Sequence, residues 1–270
     1  MSPDYPALNA EILHSALPEW NLVFRERLTS TNDEAGVLAA ARAPQWTAVM
    51  AEEQTAGRGR RGAQWVSPAR RNALVSVIVR PGPALPPDRW ARLTLAAALA
   101  GCDALDGVPG LAARAMVKWP NDLFLSVRKV AGILVESAGG PEGGYVIIGT
   151  GFNLNLTPAE FPEEIRTSAS SVWIERGGLP VEREGFLVAY LSALGRRCLQ
   201  VQAASGFGQL KSEIWERSSL AGRKVTLMYA GKALEGLVKG MGPEGELVLE
   251  TAGGCVQTFA SAEAVRLVGS

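Results

Sequence analysis

Between Gln54 and Pro87 the chain carries six arginines, Arg58, Arg60, Arg61, Arg70, Arg71 and Arg80, and no acidic side chain. Three of them alternate with glycine in Gly57-Arg58-Gly59-Arg60-Arg61-Gly62. Guanidinium groups on so permissive a backbone can fold over a carboxylate or a phosphate and grip it through paired hydrogen bonds. The run also fits G-x-G-x-x-G, but a dinucleotide loop passes from strand to helix and meets an acidic residue about 20 positions later. Here Trp65, Pro68, Arg70 and Arg71 continue a loop, and the first acid after Glu53 is Asp88. The pattern therefore reads as an anion clamp. A solvated basic loop or a nucleic-acid patch would use the same residues. Against a patch stand 27 basic and 27 acidic side chains in 270 residues, a formal net charge of zero, since general phosphate attraction needs an excess of cations.

Further segments offer chemistry more weakly. In Lys118-Trp119-Pro120-Asn121-Asp122-Leu123 the lysine ends an apolar strand before a turn of suitable residues, and a plain hairpin accounts for it equally well. Lys129 opens the apolar run Val130-Ala131-Gly132-Ile133-Leu134, as a surface lysine or as a charge beside a crevice. Lys118 and Lys129 are the only lysines before Lys211, which suggests that both positions want a compact point charge. Gly149-Thr150-Gly151-Phe152-Asn153 ends a strand with glycines that relieve a bulge or admit a flat ligand, with Asn153 as a hydrogen-bonding group.

The single histidine, His14, lies near the start, so Ser-His-Asp, Cys-His and HExxH chemistry are excluded. Cys102, Cys198 and Cys255 are far apart and odd in number, which argues against disulfides and zinc. No uncharged apolar stretch reaches membrane length and the first residues lack a secretory pattern, so a soluble cytoplasmic protein is expected.

These segments need elements to hold them. Periodicity predicts strands at 21–28, 47–52 and 74–79, a helix capped within Ser30-Thr31-Asn32 and running towards Arg42, and a long loop from Gln54 to about Asn72. It predicts a helix from an Asp88 cap to Leu105, short strands at 115–119 and 123–125, and a hairpin of 129–137 with 144–149 across the turn GGPEGG. A helical stretch from Val181 to about Arg217 precedes four short strands with Gly-rich turns, a barrel-like unit too small for an independent core and expected to dock on the rest.

Taken in order, STN at 30–32, EEQTAGRGRRG at 52–62 with Trp65, KWPNDL at 118–123, RKVAGILVE at 128–136 and GTGFNLN at 149–155 resemble the biotin protein ligases. The resemblance implies an α+β fold: a catalytic biotin- and ATP-binding domain over 1–217, like class II aminoacyl-tRNA synthetases, and an SH3-like β-barrel over 218–270. It implies that biotin and ATP give biotinyl-5′-AMP and pyrophosphate, and that the biotinyl group then passes to one lysine of a biotin carboxyl carrier domain. A carboxylate is already ionised at neutral pH, so the first step needs charge neutralisation rather than a base.

By resemblance, Ser30, Thr31, Asn32 and Gln54 bind the biotin head group, and Gly132, Leu134, Gly149 and Gly151 shape its pocket. Arg58, Gly59 and Arg60 close over carboxylate and phosphate, Lys129 bridges the two, and Trp65 packs near adenine. Lys118, Asn121, Asp122 and Asn153 line the ATP side, with Arg266 a further candidate. Catalysis falls to Lys129, Arg58, Arg60 and Lys118. Mg²⁺ is expected on the triphosphate without assigned protein ligands, Asp122 being the nearest carboxylate. Only 29 residues precede Ser30, which leaves no room for the helix-turn-helix domain of some relatives, so no DNA binding is expected; a homodimer is left open. The alternatives are a lipoate or octanoyl transfer enzyme, which lacks GRGRRG and KWPND as written here, and a non-catalytic biotin or nucleotide-binding regulator, which has no use for phosphate-neutralising cations.

Overall fold

The structure, a computed structural model, describes residues 5–139, 144–203 and 205–268. Its larger sheet has the order β1-β2-β3-β7-β6-β5-β4: β1 (Asn21–Leu28), β2 (Thr47–Gln54), β3 (Ala73–Val79), β4 (Met116–Lys118), β5 (Asp122–Leu125), β6 (Arg128–Ala138) and β7 (Tyr145–Phe152). Only β1 and β2 run parallel, as expected for the one pair joined by a crossover helix, α2 (Thr31–Ala40); the other pairs are antiparallel. β3 is buried along all of Ala-Leu-Val-Ser-Val-Ile-Val, because both sheet faces are covered. One face packs on α2 through Ala35, Ala39, Val49, Ile78 and Ile147. The other packs on α3 (Arg92–Asp106) and α5 (Arg183–Gln202). Gly101 lets α3 approach closely, since a Cβ there would stand 2.4 Å from Leu123 Cδ1.

The predicted central strands are present, and several boundaries differ. The helix expected to start from Asp88 begins at Arg92, with no side-chain cap at Ala91; Pro87–Arg89 form a 3₁₀ turn held by a bond from Trp90 Nε1 to Leu85 O. The helical stretch after Val181 is two helices, α5 and α6 (Gly206–Glu216). α6 folds back so tightly that a Cβ on Gly206 would lie 1.9 Å from Gln200 O. An N-terminal helix, α1 (Ala10–Ala16), and a short α4 (Val172–Glu175) were not anticipated. Most of the turn GGPEGG falls outside the described residues.

The C-terminal strands β8 (Lys224–Tyr229), β9 (Lys232–Met241), β10 (Leu247–Thr251), β11 (Val256–Phe259) and an unforeseen β12 (Ala264–Leu267) form an antiparallel sheet of order β11-β10-β9-β8-β12. It docks as expected. Trp119, from the turn between β4 and β5, packs in this sheet's own core with Leu220, Val225, Leu249 and Phe259, and its Nε1 donates to Gly245 O at 3.0 Å. Nearby, Arg92 holds Glu244 through two bonds of 2.6 and 2.7 Å. Among the described residues no helix is long and apolar enough to cross a membrane.

Behind the Gln54–Asn72 loop, Arg183 and Glu52 form a buried ion pair at 2.6 Å, and both hold the N-terminal segment: Glu52 accepts from Leu8 N and Arg183 donates to Pro6 O. Removing one member of such a pair typically costs about 3–5 kcal/mol, because its partner is left charged and buried. The strand that launches the arginine loop is thus tied down at Glu52, two residues before its end.

Candidate active site

A cavity of about 360 Å³ opens where the N-terminus of α2, the end of β2, the 58–65 loop, the 118–122 turn, β6, β7 and the 262–266 segment meet. It brings Lys129 and the arginine loop into one space, although β6, which carries Lys129, is separated from β2 by two strands of the sheet.

One end is built from neutral groups. Ser30 occupies the N-cap position of α2 without making a side-chain cap bond, so its hydroxyl is left for the cavity. The orphan N–H of Thr31 donates across to Gln54 Oε1 at 2.8 Å, and Thr31 Oγ1 lies 3.0 Å from the same oxygen. Ser76, at the centre of β3, places Oγ 2.7 Å from Thr31 Oγ1 and 2.6 Å from Asn32 Oδ1. Asn32 Nδ2 donates to Glu136 Oε2 at 2.6 Å. Gly149, opposite Ser76 in the sheet, makes room for this amide: a Cβ there would stand 1.9 Å from Asn32 Oδ1.

The other end is charged. Lys129 Nζ pairs with Asp122 Oδ1 at 2.7 Å and lies 5.5 Å from the Trp65 ring centroid. Arg58 grips Asp33 through two bonds of 2.8 and 2.6 Å and stands 3.8 Å from Glu136; its hydrogen bond to Asp33 raises its pKa. Arg60 donates to Asn121 Oδ1, and burial, then the neighbouring Arg61, lower its pKa. Burial also pushes Lys118 below the usual lysine value, helped by Lys129 and Arg266 and opposed by Asp122. Cations made less comfortable by burial gain most from an incoming anion.

The arginine loop is folded rather than loose. Trp65 N donates to Gly57 O and Gly59 N to Ala63 O, and Arg61 and Gly62 take positive φ values of 57° and 75° to close the turn. Trp65 lies on a floor of glycine: Cβ atoms on Gly151 and Gly132 would approach its ring to 2.5 and 3.0 Å. Its Nε1 is buried without a hydrogen-bond partner. Arg61 reaches over to Glu263 of the C-terminal unit at 3.5 Å.

Residues 24–153 match the biotin/lipoate A/B protein ligase family. The chain is 39% identical over 226 residues to a biotin--[acetyl-CoA-carboxylase] ligase of Paracoccus denitrificans, covering 83% of this chain and 91% of that one. The chain belongs to this ligase family. It is also 33% identical to the bifunctional ligase/repressor BirA of Bacillus subtilis over 248 residues, 89% of this chain and 73% of that protein. Among solved structures, a biotin protein ligase from Aquifex aeolicus in complex with biotin and ATP superposes with a TM-score of 0.77 at 25% identity, over 92% of this chain and 99% of that one.

Of the positions that likeness to the ligase family picks out, Ser30, Thr31, Asn32 and Gln54 line the cavity, as do Gly132, Leu134, Gly149 and Gly151. So do Arg58, Gly59, Arg60 and Trp65 on the loop, and Lys118, Asn121, Asp122, Lys129 and Arg266. Asn153 is not among the lining residues. It is 5% exposed, its Nδ2 donates to Ser170 O and its backbone bonds to Val130 and Val172, so it braces the wall from behind. Three of these glycines also make room for side chains of the site itself, Gly149 for Asn32, and Gly132 and Gly151 for Trp65. Sequence reasoning missed Ser76, Asp33, Glu136 and Glu263. Ser76 had a visible signal, a lone hydroxyl in an otherwise apolar strand.

Proposed function

We infer that this ligase activates biotin with ATP to biotinyl-5′-AMP and transfers the biotinyl group to a lysine of a biotin carboxyl carrier domain. The observation that carries this reading is the sharing of one cavity by the neutral Thr31-Asn32-Gln54 end and the Lys129, Arg58 and Arg60 cations. The neutral end suits a uncharged polar head group; the cations suit a carboxylate and a phosphate that must meet.

In the first step a carboxylate oxygen of biotin attacks the α-phosphorus of ATP, the bond to the bridging oxygen breaks, and pyrophosphate leaves. Lys129 stands between the two anions and relieves their repulsion, exchanging Asp122 for them. Arg58 and Arg60 cover the reacting groups, and Lys118, Asn121 and Arg266 line the nucleotide side. Mg²⁺ would accompany the triphosphate and offset its charge there. Asp122, the carboxylate beside Lys129, suits a metal held chiefly by phosphate and water, and no group of three or more metal-binding side chains occurs among the described residues. In the second step the acceptor amine attacks the acyl carbon, AMP departs, and the amine loses a proton. The folded arginine loop keeps the adenylate from water in between.

The architecture is read as a class II synthetase-like catalytic domain over 1–217 and an SH3-like unit over 218–270, joined in part by the Arg61–Glu263 ion pair. β5 pairs with β6 only as far as Gly132, and no described strand covers the same edge from Leu134 to Ala138, which suits docking of an acceptor strand or a second copy. The chain acts on protein rather than on DNA and works in the cytoplasm. A biotin reading is favoured over lipoate by the neutral end, since a dithiolane ring offers nothing to Thr31 and Gln54. A purely regulatory role is disfavoured by Lys118, Lys129, Arg58 and Arg60 together.

The decisive experiment incubates the protein with Mg²⁺, ATP, an acceptor domain and either biotin or lipoate, and weighs the acceptor. A gain of one biotinyl group, dependent on ATP, is expected. Lipoylation, or biotin binding with no modification, would overturn the reading.

A further inference from the structure

Ser76 is 0% exposed, in a strand whose other side chains are all apolar, and it has one hydroxyl proton facing two oxygens. A buried hydroxyl is costly unless satisfied, so the placement of its one proton decides which neighbouring oxygens stay paired. Two orientations are fixed. Gln54 presents Oε1 to a backbone N–H, and Asn32 turns Nδ2 to the Glu136 carboxylate, so its Oδ1 faces Ser76.

The hydroxyl protons then have two arrangements. In the first, Thr31 donates to Gln54 Oε1, which already receives Thr31 N–H; both lone pairs of that oxygen are filled. In the second, Ser76 gives its only proton to Asn32 Oδ1, and the Thr31 hydroxyl, 2.7 Å from Ser76 Oγ, rotates to donate there in place of accepting from it. That empties one lone pair on Gln54 Oε1 and leaves Thr31 Oγ1 a lone pair facing the cavity. The end of the cavity becomes a pair of adjacent acceptors.

We propose that Ser76 is a positioning and specificity-determining residue that, by taking the Thr31 hydroxyl proton, turns Thr31 and Gln54 into a matched pair of acceptors for a head group with two N–H donors. This rests on the biotin reading above, because the ureido ring carries two such donors. A ligand with one donor, or none, leaves a desolvated acceptor unpaired and is rejected on that account. Ser76 never touches the ligand; it acts through Thr31.

The full-length protein, wild type and Ser76→Ala, is titrated calorimetrically with biotin and with two carbamate analogues, each replacing one ureido N–H by oxygen. Without the Ser76 hydroxyl, Thr31 keeps its proton on Gln54, and one acceptor is lost. Ser76→Ala is expected to weaken biotin binding about thirtyfold, the usual effect of a buried group left unpaired, with KM for ATP and kcat at saturating biotin within about twofold. Wild type should lose affinity for both carbamates, and Ser76→Ala for only one. Should Ser76→Ala prove unfolded by its melting curve, Ser76→Cys, of similar volume and a weak donor, is expected to move biotin binding in the same direction by about tenfold. Biotin affinity within threefold of wild type in the folded variant, or undiminished rejection of both carbamates, overturns the proposal while leaving the ligase reading intact. Wild type that binds no biotin overturns both.

Discussion

At the α2 end of the cavity, Thr31, Asn32 and Ser76 are almost wholly buried, and their bonds run through neutral hydroxyls, amides and backbone apart from one contact to Glu136. At the other end, Arg58 and Lys129 keep 40 and 33% of their side-chain surface and are held by the carboxylates of Asp33 and Asp122. Bonds of the first kind are expensive to rearrange, so they fix a shape. Exposed ion pairs are worth only about 0–1 kcal/mol each, so they can be traded for a substrate anion at little cost. On the proposed function, selection would fall to the first half of the space and reaction to the second.

The sharpest test of the charged half is Lys129→Ala. It should lower biotin-dependent ATP–pyrophosphate exchange by about a hundred- to a thousandfold, as for loss of one pre-organised charge contact, with the melting temperature little changed. Exchange at the wild-type rate would remove Lys129 from the chemistry. In the neutral half, Gly149→Ala forces Asn32 from its seat and should raise KM for biotin about tenfold, the worth of one hydrogen bond, while KM for ATP stays put. An unaltered KM for biotin would show that Asn32 has slack.

Arg60→Gly should still form adenylate but release it about tenfold faster, measured by trapping radiolabelled product; release no faster than wild type would contradict a shielding loop. The half-buried Lys118 gives up its proton more easily than an ordinary lysine, so its charge is lost on raising the pH earlier than an ordinary lysine's would be. Adenylation should therefore decline on the alkaline side, and Lys118→Arg should carry that decline upward. An identical alkaline limb in both proteins would clear Lys118. Smallest of all, Asp33→Asn frees Arg58 from an exposed partner and should change KM for biotin less than about fivefold. A tenfold loss would mean that Asp33 orients Arg58 rather than merely storing it.

The loop Gly57–Gly62, the 118–122 turn and Lys129 were legible because their chemistry is local: glycines where the chain must close, arginines in a stretch without acids, and lysines at the edges of apolar runs. The central strands were legible for the same reason, β3 above all, as an unbroken apolar run. What sequence concealed depends on distant partners. The place of Asn153 behind the wall follows from the 170–172 segment that it holds. Arg58's attachment to Asp33 requires α2 and the arginine loop to meet, and the break after α5 was hidden because Gly206 is needed only once α6 has folded back. Ser76 stood in plain view, but its meaning required Thr31 and Asn32 to arrive beside it from 45 and 44 positions away.

Trp119 is rooted in the hydrophobic interior of the C-terminal sheet while its sequence neighbours Lys118 and Asn121 face the cavity. Transplanting that terminal module from another ligase would therefore do more than exchange an appendage. A chimera whose graft lacks a socket shaped for this indole should keep its hold on biotin and lose its grip on nucleotide, and restoring the socket alone should recover it.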